Sequence, residues 1–263
     1  MKGIYIKNGS EFYLEAFGEQ WLQGEKLKGV MGVKNHSANA LTIPTLEVNL
    51  ALGEFKKVHA KNHQTWEEVS SIKMAGPHTI QGKESLQFPF EFTLDKNAAI
   101  TDKGSGLFLL YGEEGAWKKE ELYGHLQLIV DQHPYLNYFI ETFERFIRFK
   151  VKQKKFSSKG RVEYKMAPPD AKEWKNIESM TLAFNFEKKA KESNKDNIEL
   201  HYLFTTKSLD LADGQLAVQK KKKEFSQTLT PSQYQLYGSA NHQGIQDAFK
   251  EISTQVTSTL FKK

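Results

Sequence analysis

The side chains with a clear potential for chemistry are few and widely separated. His59 and His63 are four residues apart, and on a helix that spacing sets two imidazoles on one face, as a zinc site requires. The stretch around them, Phe55 to Ser71, has no helical apolar period and offers no third ligand. It reads as a polar connection with Trp66 as its one large anchor, and no metal is expected. Asp131-Gln132-His133 has the ingredients of a base oriented by a carboxylate. No activated nucleophile accompanies it, so it reads as a polar domain junction. The doublets Glu67-Glu68, Glu113-Glu114 and Glu120-Glu121 have lysines nearby and read as solvated loops rather than acid–base pairs. Gly104-Ser105-Gly106 lacks the further glycines and the Lys-Ser/Thr of a phosphate loop and reads as a turn. There is no G-x-S-x-G elbow. With no cysteine in the chain, disulfides, thiolate zinc sites and cysteine nucleophiles are excluded together. The expectation is no catalytic residue, no cofactor and no metal.

Binding chemistry has two candidates. Lys220, Lys221, Lys222 and Lys223 form an unbroken basic run, and Lys150, Lys152, Lys154 and Lys155 lie on or after a strand. Such lysines could meet an anionic membrane surface or another polyanion. Trp and Tyr are not interleaved with them, which disfavours nucleic acid, where bases stack on aromatic rings. The plainer reading of the run is an exposed hairpin tip or a protected edge strand. The second candidate is an apolar stripe near the end of the chain. Ile245, Phe249, Ile252, Val256 and Leu260 recur at helical spacing, with Gln246, Asp247, Lys250, Glu251 and Gln255 opposite. That is an amphipathic helix of about four turns, which docks either on its own chain or in a groove of a protein partner.

The elements that must position these residues are mostly strands. Residues 24–52 hold two strand-like runs around a polar loop, Asn35 to Ala40. In the second run Leu46, Val48, Leu50 and Leu52 alternate with Glu47 and Asn49, the period of a strand with one buried face. The pair reads as a long hairpin, and Gly29 within it as a bulge or a close backbone approach. Leu86, Phe88, Phe90, Phe92 and Leu94 alternate again, with Pro89 pointing to an edge strand. Further strands are expected at 4–6, 12–17, 107–111 and 125–131, with a polar hairpin loop over 112–121. A short helix or packed linker follows over 132–144. Strands resume at Ile147 and continue through 160–166, 179–187, 197–205 and 215–219. Thr230-Pro231-Ser232-Gln233 has the form of a capping box opening a short helix that Gly238 would stop.

A chain of 263 residues can carry two domains, and its charge is split between halves. Residues 1–131 contain 14 Lys+Arg and 17 Asp+Glu, or −3, and residues 132–263 contain 23 and 15, or +8. An anionic partner would meet the second half. The N-terminal stretch is interrupted by polar residues before any signal-peptide core, and no run approaches the ~18 apolar residues of a membrane span. A cytoplasmic protein is expected.

Gly24-Glu25-Lys26-Leu27-Lys28-Gly29, leading to Val33 and then Ile43, Leu46, Val48 and Leu50, resembles the "G-x-x-φ-x-G … φ-x-φ" pattern of the arrestin-like family of double β-sandwich proteins. That family includes arrestins, the retromer subunit of the same fold and bacterial sporulation-control proteins. Leu86-Gln87-Phe88-Pro89-Phe90 is similar to the family's strand before its inter-sheet turn. Residues 125–131 stand where its last N-domain strand would be. The resemblance covers the first half of the chain, and the second half matches only as a run of strands. No equivalent of the buried charged cluster that visual arrestins use as a phosphate sensor stands out, so receptor binding is not implied. The resemblance implies an all-β protein with two β-sandwich domains in tandem, over 1–132 and 133–240, and a C-terminal amphipathic helix over 241–263 docked on a sandwich. It further implies a non-enzymatic cytoplasmic adaptor or regulatory scaffold that binds a protein partner, with contact with an anionic surface as the alternative.

Overall fold

The computed structural model describes residues 1–60, 66–74, 76–187, 196–212 and 215–258, with the backbone alone at 208–212, 215–218 and 258. It divides into two compact units, Met1–Gln132 and His133–Lys263.

In the first unit the chain runs through β1 (Lys2–Lys7), β2 (Ser10–Ala16), β3 (Trp21–Leu22), β4 (Lys26–Asn35), β5 (Leu41–Ile43) and β6 (Leu46–Glu54). A single helical turn, α1 (Phe55–His59), leads on to β7 (Trp66–Met74), β8 (His78–Ile80), β9 (Ser85–Thr93), β10 (Ser105–Glu113), β11 (Gly124–Gln127) and β12 (Val130–Asp131). Two four-stranded sheets result, in the orders β1-β2-β4-β9 and β11-β10-β6-β7. Every pairing within them is antiparallel. Phe12, Leu14, Leu27, Met31, Val33, Phe90 and Phe92 of one sheet are buried, as are Leu46, Val48, Leu50, Leu107, Leu109 and Tyr111 of the other. Alternation of period two delivers these side chains to one face of each sheet.

The long hairpin expected over 24–52 does not form. β4 lies between β2 and β9, whereas β6 lies between β10 and β7. The chain crosses from one sheet to the other through β5, whose Leu41 pairs with Ile80 of β8. Alternation identifies a strand and its buried face but not its neighbour, so two adjacent strand signals looked like a pair. Gly29 is a close approach, not a bulge. β4 keeps an unbroken register with β2 and β9 there, and a Cβ at Gly29 would collide with the Glu15 carbonyl oxygen and the Phe90 ring. Pro89 stands on an edge strand, opposite Val30. The polar face of β6 is covered rather than solvated: Glu47 and Asn49 are buried. Next to them Ala51, Phe108 and Leu110 form a second small core with Phe55, Val58, Trp66, Trp117 and Tyr123. The polar connection expected up to Ser71 is therefore already strand β7 from Trp66 onward, with that indole as part of the packing.

The second unit opens with α2 (Pro134–Arg145), followed by β13 (Lys150–Phe156), β14 (Val162–Ala167), β15 (Ile177–Phe186), β16 (Ile198–Ala212) and β17 (Gln215–Leu229). The five strands form one antiparallel sheet in sequence order. A short α3 (Pro231–Tyr234), a small hairpin of β18 (Gln235–Leu236) and β19 (Ser239–Ala240), and α4 (His242–Ser258) complete it. Among the described residues, the layer packed on this sheet is helical. Phe139 of α2 meets Phe184 at 5.3 Å between ring centroids. Phe249 of α4 meets Phe143, Phe149, Trp174 and Tyr202 at 4.9, 5.7, 5.9 and 5.9 Å. Ile198, Leu200, Tyr202 and Phe204 line the same face of β16 and are all buried. Thr230 and Gln233 form the expected capping box, with Thr230 N–H donating to Gln233 Oε1 at 2.8 Å; Gln233 N–H also donates to the Thr230 backbone carbonyl at 3.0 Å, a turn bond. Gly238 does not end α3, which stops at Tyr234; it sits in the turn of the β18–β19 hairpin. Among the described residues, no helix is long and apolar enough to cross a membrane.

Candidate functional site

The apolar stripe of the last helix is core. Ile245, Ala248, Phe249, Ile252 and Val256 are each 7% exposed or less, so the first four large members of the proposed partner-binding stripe face the helix's own unit. Leu260 lies outside the described residues.

The lysine run lies on β17, an edge strand. A strand sends consecutive side chains to opposite faces, so four neighbouring lysines cannot make one patch. Lys221 and Lys223 share a face with Leu229, which is buried opposite Ile198, while Lys220 and Lys222 take the other. Burial and the neighbouring Lys221 hold the Lys223 ammonium below its usual pKa. Lys220 pairs with Glu178 at 2.8 Å. The second basic run, from Lys150 to Lys155, lies on β13, the opposite edge of the same sheet. Lysines at both edges are a known guard against edge-to-edge pairing.

What the fold does bring together is a trough on the sheet face turned away from α2 and α4. Register sets Ala183 of β15 between Glu163 of β14 and His201 of β16, and Thr181 between Lys165 and Leu203. Short side chains on the central strand and long ones on its neighbours leave a concavity of about 400 Å³. Its rim carries Lys155, Lys159, Arg161 and Lys165 together with Glu163 and Glu224. Lys155 pairs with Glu163 at 3.1 Å. At the trough's end Glu199 accepts a hydrogen bond from Asn185 Nδ2 at 3.2 Å. The same carboxylate faces His201 Nε2 at 3.0 Å and the Arg161 guanidinium at 3.9 Å. Burial acts to raise the Glu199 pKa, but the Asn185 and His201 contacts and the charges of His201 and Arg161 outweigh it and hold the carboxyl below its usual range. The arrangement offers fixed cations interleaved with carboxylates along a channel.

A second feature projects from the same unit. The β18–β19 loop is Tyr237-Gly238, with φ of +50° and +85°, the geometry of a type I′ turn that Asn-Gly satisfies without strain. Tyr237 is fully exposed and its neighbour Leu236 is 48% exposed. Tyr138 Oη of α2 donates to the Gly238 carbonyl at 3.0 Å and anchors the turn.

The remaining candidates are structural. His59 is exposed at the end of α1, and His63 lies outside the described residues. Among those residues no group of three or more His, Asp or Glu could hold a metal. His133 Nδ1 accepts the Tyr135 N–H at 3.2 Å as the N-cap of α2. Glu68 pairs with Lys118 at 2.6 Å, Glu113 with Lys7 at 2.9 Å and Glu114 with Lys73 at 2.5 Å. Asp102 Oδ1 accepts from Gly104 N–H and Ser105 N–H, making the expected turn. Sequence reasoning missed the trough because its cations come from alternate positions of separate segments. It missed Tyr237 because nothing in the types Leu-Tyr-Gly foretells a left-handed tyrosine.

No family model matches the sequence, and a search of curated proteins finds no match. Among solved structures, the sporulation control protein Spo0M from Bacillus subtilis matches with 18% identity and a TM-score of 0.62, over 95% of this chain and 99% of that one. The likeness establishes the arrestin-like fold expected from the sequence. A β-glucosidase from Listeria innocua (16% identity, 49% of this chain, 17% of that one, TM-score 0.29) and the C-terminal domain of wzt (6%, 50%, 79%, 0.31) overlap only loosely. They carry no argument about activity.

Proposed function

We propose that this chain is a non-enzymatic, cytoplasmic regulatory scaffold of the arrestin-like type that acts by binding a protein partner. The observation behind the reading is Tyr237. An aromatic ring fully in water, on backbone with φ of +50°, costs on the order of 1–3 kcal/mol in strain alone. Strained positions of this kind cluster at functional sites, and tyrosine is among the residues that dominate protein interfaces. Exposed Leu236 beside it and the Tyr138 anchor beneath it give the tip both apolar area and a fixed orientation. The likeness to a sporulation control protein supports a regulatory role.

The test places a photocrosslinking amino acid at Tyr237 of the full chain and identifies adducts from the native cell extract by mass spectrometry. The adducted protein, purified, is expected to bind the wild-type chain and to bind Tyr237→Ala at least about tenfold more weakly, as loss of an interface hot spot does. Equal binding by both forms, or no adduct beyond that from a crosslinker at exposed Lys56, would overturn the reading.

A further inference from the structure

We infer that the trough along β15 is the groove for an acidic, extended peptide segment of a protein partner. The inference rests on the protein-binding reading above and adds the chemistry of what is bound. Its floor from Thr181 to Asn185 spans five residues of β15, about 13 Å of extended chain, so roughly four to six peptide residues fit along it. No carboxylate among the described residues forms a close ion pair with Lys159 or Lys165, although Lys165 acts at longer range on Glu178. Arg161 is held only loosely, at 3.9 Å from Glu199. These three cations converge on one channel with no ion pair closer than 3.9 Å among them, and an acidic side chain laid there would supply one.

The interleaved carboxylates decide among anionic partners. Glu163 and Glu224 stand on the same rim, and a nucleic-acid backbone, with one charge every few ångströms, would run its phosphates against both. A lipid surface is flat and cannot enter a concavity of about 400 Å³. A peptide can alternate acidic with apolar residues, meeting the lysines with the first and Leu203 and Ala183 with the second. The site therefore selects for a mixed sequence, and electrostatic complementarity of this kind fixes register and excludes wrong partners more than it raises affinity.

The experiment is fluorescence anisotropy on the full chain with a labelled hexapeptide, Glu-Val-Glu-Val-Glu-Val. Three comparison probes are its Gln-for-Glu counterpart, a single-stranded oligothymidine of equal charge, and phosphatidylserine-containing vesicles. The expected result is saturable binding of the acidic peptide that weakens with salt, with amide shifts by NMR at Thr181, Ala183 and Leu203. The double variant Lys159→Glu, Lys165→Glu is expected to weaken it at least about tenfold, two charge reversals at a shared site. Lys56→Glu with Lys103→Glu, the same net change on exposed lysines of the first unit, is expected to shift it less than about twofold. The inference is overturned if both double variants weaken binding equally, if the shifts map elsewhere, or if the oligothymidine or the vesicles bind more tightly through Lys159 and Lys165. If the Tyr237 adduct binds normally while the Lys159/Lys165 variant has no effect, the groove assignment fails and the protein-binding reading stands. If the peptide binds in the trough but no partner is adducted at Tyr237, the groove assignment stands and Tyr237 is not the contact.

Discussion

Replacing Phe249 by alanine tests whether the last helix is part of the second unit's core. Phe249 is 3% exposed and its ring meets four aromatic neighbours within 6 Å. Truncating a buried phenylalanine removes its transfer free energy and leaves a cavity, at a cost of about 3–5 kcal/mol. Aromatic pairs add to burial by about 0.5–1.5 kcal/mol each, which puts this site toward the upper end of that range. For a unit of 131 residues, from His133 to Lys263, a shift of roughly 3–4 °C per kcal/mol lowers its melting temperature by about 12–20 °C. The assay is urea denaturation followed by fluorine NMR with 5-fluorotryptophan in place of all four tryptophans. Trp174 is the only one of the four in the second unit, and it stacks on Phe249 with an interplanar angle of 21°. Its resonance should shift in Phe249→Ala and its transition should move to lower urea, while Trp21, Trp66 and Trp117 keep theirs. Lys250→Ala, one residue on and exposed, should stay within about 0.5 kcal/mol of wild type. A Trp174 signal that neither moves nor melts earlier in Phe249→Ala would show that α4 is not packed as described, and would return its apolar stripe to the list of partner-binding surfaces.

Three further outcomes are expected. Gly29→Ala should destabilise the first unit by more than about 2 kcal/mol, since the added methyl meets backbone at Glu15 as well as the Phe90 ring; a thermal melt with an unchanged midpoint would refute it. Tyr237→Asn should raise the stability of the second unit by about 0.5–1 kcal/mol, because asparagine tolerates the left-handed region, while weakening partner binding; a stability loss would mean that the exposed ring makes a contact. Stability should fall as pH rises above about 10, because burial pushes Tyr111 up to about 12 and raises Tyr5, Tyr202 and Tyr234 as well. The unfolded chain releases these protons near pH 10 while the folded one keeps them, so the difference in bound protons favours unfolding from there upward. Tyrosinate absorbance of the folded protein that reaches all ten residues by about pH 11 would contradict it.

The strands were legible in the sequence wherever one face is buried and the other wet. β9 and β16 announce themselves, because Phe90 with Phe92, and Ile198 with Leu200, Tyr202 and Phe204, fall on single faces. β7 was invisible because it is an edge strand whose Glu67, Glu68, Ser70 and Ser71 are all exposed, so it carries almost no apolar alternation. α4 was legible for the opposite reason, its stripe being long and regular. Sheet membership was not, since the pairing of β4 with β9 joins residues 51 to 67 positions apart, from Lys34 opposite Ser85 to Lys26 opposite Thr93. The candidate site was harder still. A run such as Lys220–Lys223 catches the eye in one dimension, and the strand then divides it. Lys159, Arg161 and Lys165 are unremarked in one dimension, and the strand register gathers them.

The division of charge between edges and face also bears on what the +8 of residues 132–263 is for. Four lysines on β13 and four on β17 stand at the two open sides of a five-stranded sheet, where each unpaired backbone group would otherwise invite another strand. Edge protection gives these eight lysines a structural role, so a high net charge in this half needs no polyanion to explain it. Lys155 belongs to both sets, being an edge lysine of β13 that also stands on the trough rim, but the trough's other three cations differ in kind. They do not border an edge as a row: Lys165 is on β14, a central strand, Arg161 immediately precedes it, and Lys159 lies in the turn before that. Edge protection gives no reason for a lysine on a central strand to overlook a channel floored by Thr181 and Ala183. A function that draws on the basic character of this half is therefore better sought on the face of the sheet than at the lysine runs along its sides.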